Sequence, residues 1–199
     1  DNVSYGAFIV PGLMMLSIMT TSVNFAAFGI YLPKYNGSIF EIMSAPISAY
    51  EIVIGYAGAA VSKSIMISIL ILFTSTIFVD FYIKHPLLML FLLILISITF
   101  SLFGFIVGIW ATNFEKLQLI PLLIITPLVF LGGSFYSVEM LPELWQFVTK
   151  FNPIFYVING FRWSFFGTAD IAIITSLSFI TIFLFICLII IGLIFKTGY

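Results

Sequence analysis

PLLMLFLLILISITFSLFGFIVGIWATNF, residues 86–114, runs without a single charged side chain. An α-helix rises about 1.5 Å per residue, so about 20 apolar residues cover the ~30 Å hydrocarbon layer of a bilayer. This stretch is long enough to cross a membrane. Its small residues show where another helix would sit. Ser97, Ser101, Gly104 and Gly108 recur three or four residues apart on one face, and Gly104 and Gly108 form a small-xxx-small pair. No hydrophobic effect drives helices together in lipid, so such a stripe marks a packing seam where backbones approach.

Further charge-free stretches cover residues 2–33, 64–79, 117–138 and 171–195. The stretch 64–79 is too short alone, but extends back through Val53 if Lys63 is tolerated. Five crossings result, at about 6–31, 53–79, 87–111, 117–136 and 171–195, and they place the two ends of the chain on opposite sides. Composition agrees. Of 199 residues, 62% are hydrophobic and 8% charged, against about a quarter charged in a soluble domain. The 24 phenylalanines exceed what a water-facing surface could carry. Soluble, disordered and collagen-like classes are excluded. Residues 1–199 read as one all-α polytopic membrane domain.

A net charge of −1 without a basic block argues against a nucleic-acid partner. The lone Cys187 excludes an intrachain disulfide and reads as packing. The chain opens on Asp1 rather than Met, so upstream elements are expected to be missing. The first apolar run is too long for a signal peptide.

Lys34, Lys116 and Lys196 fall on one side of the five-span layout, and Lys84, Lys150 and Arg162 on the other, so the positive-inside rule gives no orientation. Lys63 is the one charge within a span. A lysine at the bilayer centre costs about 2.5–3.5 kcal/mol on insertion scales. It must either snorkel from the first turns of a long, tilted helix or line a polar cavity. Ser17, Thr20, Thr21 and Asn24 form a polar stripe on the first span, which either lines a path or makes interhelical hydrogen bonds.

The loops carry more specific marks. Ser38-x-x-Glu41 is a capping box after an Asn36-Gly37 turn, and Pro46 ends the helix it opens. Ser48-x-x-Glu51 is a second box, opening the next crossing, and Thr112-x-x-Glu115 a third. A short surface helix over 38–46 would display Ile39, Phe40, Ile42 and Met43. With no basic residue on its polar face, it suits docking to a protein better than lying on headgroups. Pro121 and Pro127 predict kinks in the fourth crossing, either for motion or for packing.

Segment 137–170 combines Glu139, Glu143, Lys150, Arg162 and Asp170 with nine aromatic rings. Leu141, Leu144, Trp145, Val148 and Phe151 recur at helical spacing, and Asn152-Pro153 breaks the run. Neither half can cross. The segment is a re-entrant helical hairpin over 141–167 or an amphipathic hairpin on the surface, and the uncharged Ile154–Phe161 favours the first.

No HExxH, CxxC or Gly-x-Ser-x-Gly occurs. His85, the one histidine, reads as a solvated loop residue, and no pair of intramembrane carboxylates suggests a proton relay. Gly58 to Ser64 mimics a phosphate loop, but Ser62 takes the place of the obligatory glycine. No catalytic residue, cofactor or metal ligand is expected, so any ATP-driven work would need a partner polypeptide.

Three passages then carry a family likeness: FEIMSAPISAYEIVIGY (40–56), FSLFGFIVGIWATNFE (100–115) and PLLIITPLVFLGGSFYSVEMLPELWQFVTKFNPIFYVINGFRWSFFG (121–167). With these, the chain resembles the permease subunits of ABC-2 type exporters of the bacterial inner membrane. The resemblance implies six family crossings behind an N-terminal interfacial helix, of which the five here are the second to sixth. It puts 33–51 and 112–117 in the cytoplasm and 137–170 outside. Carried across, Ser38, Ile39, Phe40, Glu41, Ile42, Met43 and Pro46 form the coupling helix that contacts an ABC ATP-binding subunit. Gly132, Gly133, Phe135 and Tyr136 match the turn at the outer gate, and Asn152, Pro153, Gly160 and Arg162 the re-entrant hairpin. Lys63 departs from the pattern.

The expected function is a homodimeric permease of the inner membrane, without catalytic residues of its own. It would export an amphipathic cargo (a lipid, a lipid-linked glycan or a drug) on a partner's ATP hydrolysis, in contact with membrane lipid. The alternative is a membrane scaffold or assembly protein that transports nothing.

Overall fold

Ser4 starts the first helix, its hydroxyl accepting the Ala7 N–H at 3.3 Å and satisfying a donor that a helix start leaves open. From there the computed structural model, which describes residues 4–197, is helical nearly throughout; the first residues of the charge-free stretch 2–33 lie outside it. Helix α1 spans Tyr5–Asn36, α2 Ile39–Ser44, α3 Ala49–Phe78 and α4 Pro86–Trp110. A bent helix follows, built from α5 (Phe114–Leu119), a π-helical segment (Ile120–Ile125) and α6 (Thr126–Leu131). A 3-10 turn at Val138–Met140 leads to α7 (Glu143–Lys150), α8 (Pro153–Phe166) and α9 (Ile173–Lys196). Five helices, counting the bent one once, are long and apolar enough to cross a membrane. The fold is an all-α polytopic membrane protein, with no strand among the described residues.

Helices α1 and α4 form the buried centre, while α3 and α9 lie at the periphery. A Cβ on Gly104 would lie 2.5 Å from the Val23 carbonyl oxygen, and one on Gly108 2.9 Å from Ala27 Cα. The α1 and α4 backbones are therefore in contact along that stripe. Val53, Ala57, Ala60, Ser64 and Ser68 give α3 a single buried edge, and Cys187 is buried on α9. The largest apolar cluster joins Met14, Ile18 and Met19 of α1, Leu92 and Ile96 of α4, and Phe161 and Phe165 of α8. Helix α8 is thus part of the core.

Local rules decided the helix ends unevenly. Ser48 and Glu51 form the reciprocal capping box. Ser38 does not cap α2: it is itself in the right-handed helical region at φ −65°, ψ −11°, where its hydroxyl makes no cap bond. The α2 helix is accordingly short, ending at Ser44 ahead of an extended Ala45 and Pro46. Asn113 replaces Thr112 as the cap of α5, its Oδ1 accepting from Lys116 N at 2.8 Å. The fourth crossing ends at Leu131 rather than 136, because the chain turns at Gly132-Gly133, where Gly133 has φ +81°. The two prolines produce a π register. Both the amide and the hydroxyl of Thr126 donate to the Pro121 carbonyl, the hydroxyl at 2.9 Å, so the wider turn supplies partners that proline disrupts.

His85 is half-buried rather than solvated: its ring stacks on Trp163, with centroids 4.7 Å apart. Lys63 is the fifteenth residue of α3, about 21 Å of helix rise from either end. It therefore does not snorkel from the opening turns. Its ammonium lies 3.3 Å from the centroid of the Phe25 ring on α1.

Candidate functional site

Antiparallel succession of the helices puts two features at opposite ends of the bundle. One end gathers α2 with the C-termini of α1, α4 and α9 and the starts of α3 and α5. The other gathers the α3–α4 loop, the Gly132-Gly133 turn, α7 and α8.

At the first end, Gly37 takes φ +84°, a left-handed conformation open to glycine, and turns the chain out of α1. No residue of α2 is buried. Ile39 and Ile42 are half-buried, and Ile39 packs against the cluster of Ile30, Val53 and Phe105. Phe40 is 74% exposed, and Glu41, Met43 and Pro46 also face outward. Beneath the helix is an apolar cavity of about 500 Å³ lined by Ile39, Phe40, Met43, Ile109 and Phe195 among others. Lys34, counted above only as a loop charge, is structural: its ammonium donates to the carbonyls of Ile109 at 2.6 Å and Ala111 at 3.2 Å. A cation there complements the negative end of α4.

At the second end the turn and hairpin residues converge. Asn152 caps α8, its Oδ1 accepting from Ile154 N, and its Nδ2 donates to the Leu128 carbonyl of α6 at 2.6 Å. The same Nδ2 would lie 3.3 Å from a Cβ on Gly132. Pro153 occupies the first turn of α8, where its missing N–H costs nothing. Gly160 abuts Ser176 of α9, whose Cβ would sit 2.8 Å from an added Cβ. Phe135 stacks on Phe130, and Tyr136 donates to the Leu131 carbonyl. Arg162 is 5% exposed; it donates to the Gly133 carbonyl, with its guanidinium carbon 4.1 Å from the Phe8 ring centroid. Burial pulls the Arg162 guanidinium down to about 10, with Asp170 pushing the other way, so it stays protonated at neutral pH.

Asn159, absent from the sequence reading, secures the hairpin's exit. It donates to the Ile171 carbonyl and accepts from Asp170 N at 2.9 Å. The α3–α4 loop joins in, with Lys84 N and His85 N bonded to the carbonyls of Phe165 and Ser164. The hairpin's halves differ. Ten of the fourteen residues of α8 are buried, whereas α7 buries Thr149 alone and exposes Leu144, Phe147 and Val148.

Between the ends, α1 is the floor of an open groove walled by the bent helix. Its cavity, about 480 Å³, is lined by Thr20, Asn24, Phe28, Gln118, Pro121, Leu122 and Thr126. Thr20 donates to the Leu16 carbonyl of its own helix. Part of the α1 polar stripe therefore faces a cavity.

A helical bundle with one displayed end, one hydrogen-bonded end and a polar groove between them is the build of a polytopic transport protein. The model of the ABC-2 type transporter family matches residues 2–166, and the chain belongs to that family. It is similar to the inner membrane transport permease YadH of Escherichia coli K12, at 36% identity over 181 residues, 91% of this chain and 71% of that one. It is similar also to nodulation protein J of Rhizobium leguminosarum bv. viciae, at 29% identity over 170 residues, 81% of this chain and 63% of that one. The protein is a multi-pass transport permease of the inner membrane, and permeases of this family work with an ABC ATP-binding subunit.

Proposed function

We propose that this chain is the membrane subunit of an ATP-driven exporter of amphipathic cargo, with no catalytic residue of its own, and that α2 is its coupling helix. The observation that carries this is α2 itself. A helix with no buried residue is anchored by Ile39 while presenting Phe40, Glu41 and Met43, and it sits at the end away from the hairpin. In this reading residues 33–51 and 112–117 face the cytoplasm and 137–170 the outside. Residues 38–46 enter a cleft of the ATP-binding subunit, residues 141–167 dip into the outer face, and the turn at Gly132, Gly133, Phe135 and Tyr136 forms part of the outer gate.

Two copies pair, so that the groove on α1 is closed by its counterpart into a cargo path, with lipid around the assembly. Binding of ATP must favour one of two bundle conformations by a difference in free energy; docking alone moves nothing. The long α1, in contact with α4 and also reaching α8, is the lever that joins the coupling end to the gate.

The test is a detergent pull-down of the full-length protein with ATPase assay, beside a Phe40→Asp, Glu41→Arg variant. The wild type is expected to bring down an ATPase that the variant loses while still inserting in the membrane. If the wild type retains no ATPase, the exporter reading falls and a non-transporting scaffold takes its place.

A further inference from the structure

We propose that Lys63, seated on Phe25 of α1, binds the anionic headgroup of an amphiphile within the membrane. This rests on the permease reading only in calling that amphiphile cargo.

Depth comes first. Lys63 stands halfway along a 30-residue helix, about 20 Å of helix rise from either end, whereas an extended lysine reaches about 6 Å. It cannot bring its charge to the headgroups of a bilayer centred on α3. Compensation within the chain is also missing. Among the described residues the carboxylates of Glu41, Glu51, Asp80, Glu115, Glu139, Glu143 and Asp170 lie in loops or the end turns of helices. Glu51, on the same helix, is twelve residues away, about 18 Å. What the ammonium touches is the face of Phe25, 3.3 Å from its centroid. An aromatic face steadies a cation without neutralising it, so the position still lacks an anion.

Placement makes the site reachable. Lys63 is exposed, and Phe25 is 42% exposed. Apolar α3 surface flanks the cation along the same helix, where Met66, Ile69, Leu70 and Phe73 are exposed. A headgroup on the ammonium and a tail along α3 is the arrangement an anionic amphiphile needs. A compact ammonium suits phosphate as a point charge.

The experiment reads binding as ligand-induced thermal stabilisation of the purified full-length chain in a neutral detergent. It needs no ATPase and no transport, so it stands or falls apart from the permease reading. The probes are dioctanoyl phosphatidate, dioctanoylglycerol and inorganic phosphate. Phosphatidate should stabilise the wild type saturably and dioctanoylglycerol should not. Lys63→Met should raise the half-saturating phosphatidate concentration at least tenfold, Lys63→Arg should largely restore it, and Phe25→Leu should raise it about threefold. Each variant is first checked for an unchanged melting midpoint without ligand. Competition by inorganic phosphate at comparable concentration would support the cation site with a soluble anion as its ligand, and no competition would support the lipid headgroup. Equal half-saturation for wild type and Lys63→Met, or equal stabilisation by dioctanoylglycerol, overturns the proposal.

Discussion

The two ends of this bundle are built on opposite plans. At the hairpin end, Asn152, Asn159 and Arg162 tie α8 to the α6 terminus, to the start of α9 and to the Gly133 turn, and ten residues of α8 are buried. At the other end α2 buries nothing, and one half-buried isoleucine holds it against the bundle. Side chains spent on internal bonds fix a shape, and side chains left outside are free for a partner. The contrast leaves one end bonded to itself and the other displayed, as the proposed coupling role of α2 requires, with the α1–α4 seam making them one body.

The largest effect should come from breaking that seam. Gly104→Leu would drive a side chain into the Val23 backbone, 2.5 Å from its carbonyl at the first carbon alone. Overpacking against backbone costs about 3 kcal/mol or more, and the protein should lose its single peak in detergent size exclusion. A Gly104→Leu protein that elutes and melts as the wild type would mean that the helices are free to part there.

Next, the ends can be set against each other directly. Asn152→Ala strands the Leu128 carbonyl and the Ile154 amide, a loss of about 1–3 kcal/mol. Phe40→Ser, on an exposed position, should move stability by no more than about 0.5 kcal/mol. Thermal unfolding in detergent measures both, and equal losses would erase the contrast. Lys34→Met falls between, at about 1 kcal/mol. Lys34 neighbours α2 in sequence but bonds the carbonyls at the end of α4; if its removal is neutral, the display end extends further into the bundle than α2.

How much of this could be read beforehand follows from the range of the forces involved. The five crossings rest on charge-free length, a local property, and their placement was legible to within a few residues. The Gly104–Gly108 stripe was legible because small residues in lipid have few other uses. Caps were less so: Ser48 behaved as its motif implies, but Gly37 delivers Ser38 already in helical geometry, and Asn113 offers a better-placed oxygen than Thr112. Lys34 and Asn159 were missed because their partners depend on tertiary packing, seventy-five residues away for Lys34 and Ile109. The sequence leaves the depth of Lys63 open between snorkelling and a polar cavity, and the length of α3 on both sides of it places it halfway along the helix. The residues named for the hairpin came from family likeness, and spacing alone would not have paired Asn152 with Leu128.

The smallest expected effect probes the exit of the hairpin by pH. Asp170 is open to water as a residue, yet packing around its carboxyl raises its pKa above the ordinary 3.8, with Arg162 opposing and Glu139 adding to the rise. The folded state therefore holds this proton more tightly than the unfolded chain does. Its contribution is complete below the unfolded value and is lost as pH rises through the raised one. Asp170→Asn removes the titrating group while keeping the backbone amide that donates to Asn159. Relative to this variant, the wild type should lose up to about 0.5 kcal/mol between pH 4 and pH 6, a figure kept small by solvent screening. Melting midpoints of both proteins across that window give the difference. Should the wild type instead gain stability relative to Asp170→Asn as pH rises, attraction to Arg162 outweighs the cost of packing, and the rigid end is held by charge as well as by its asparagines.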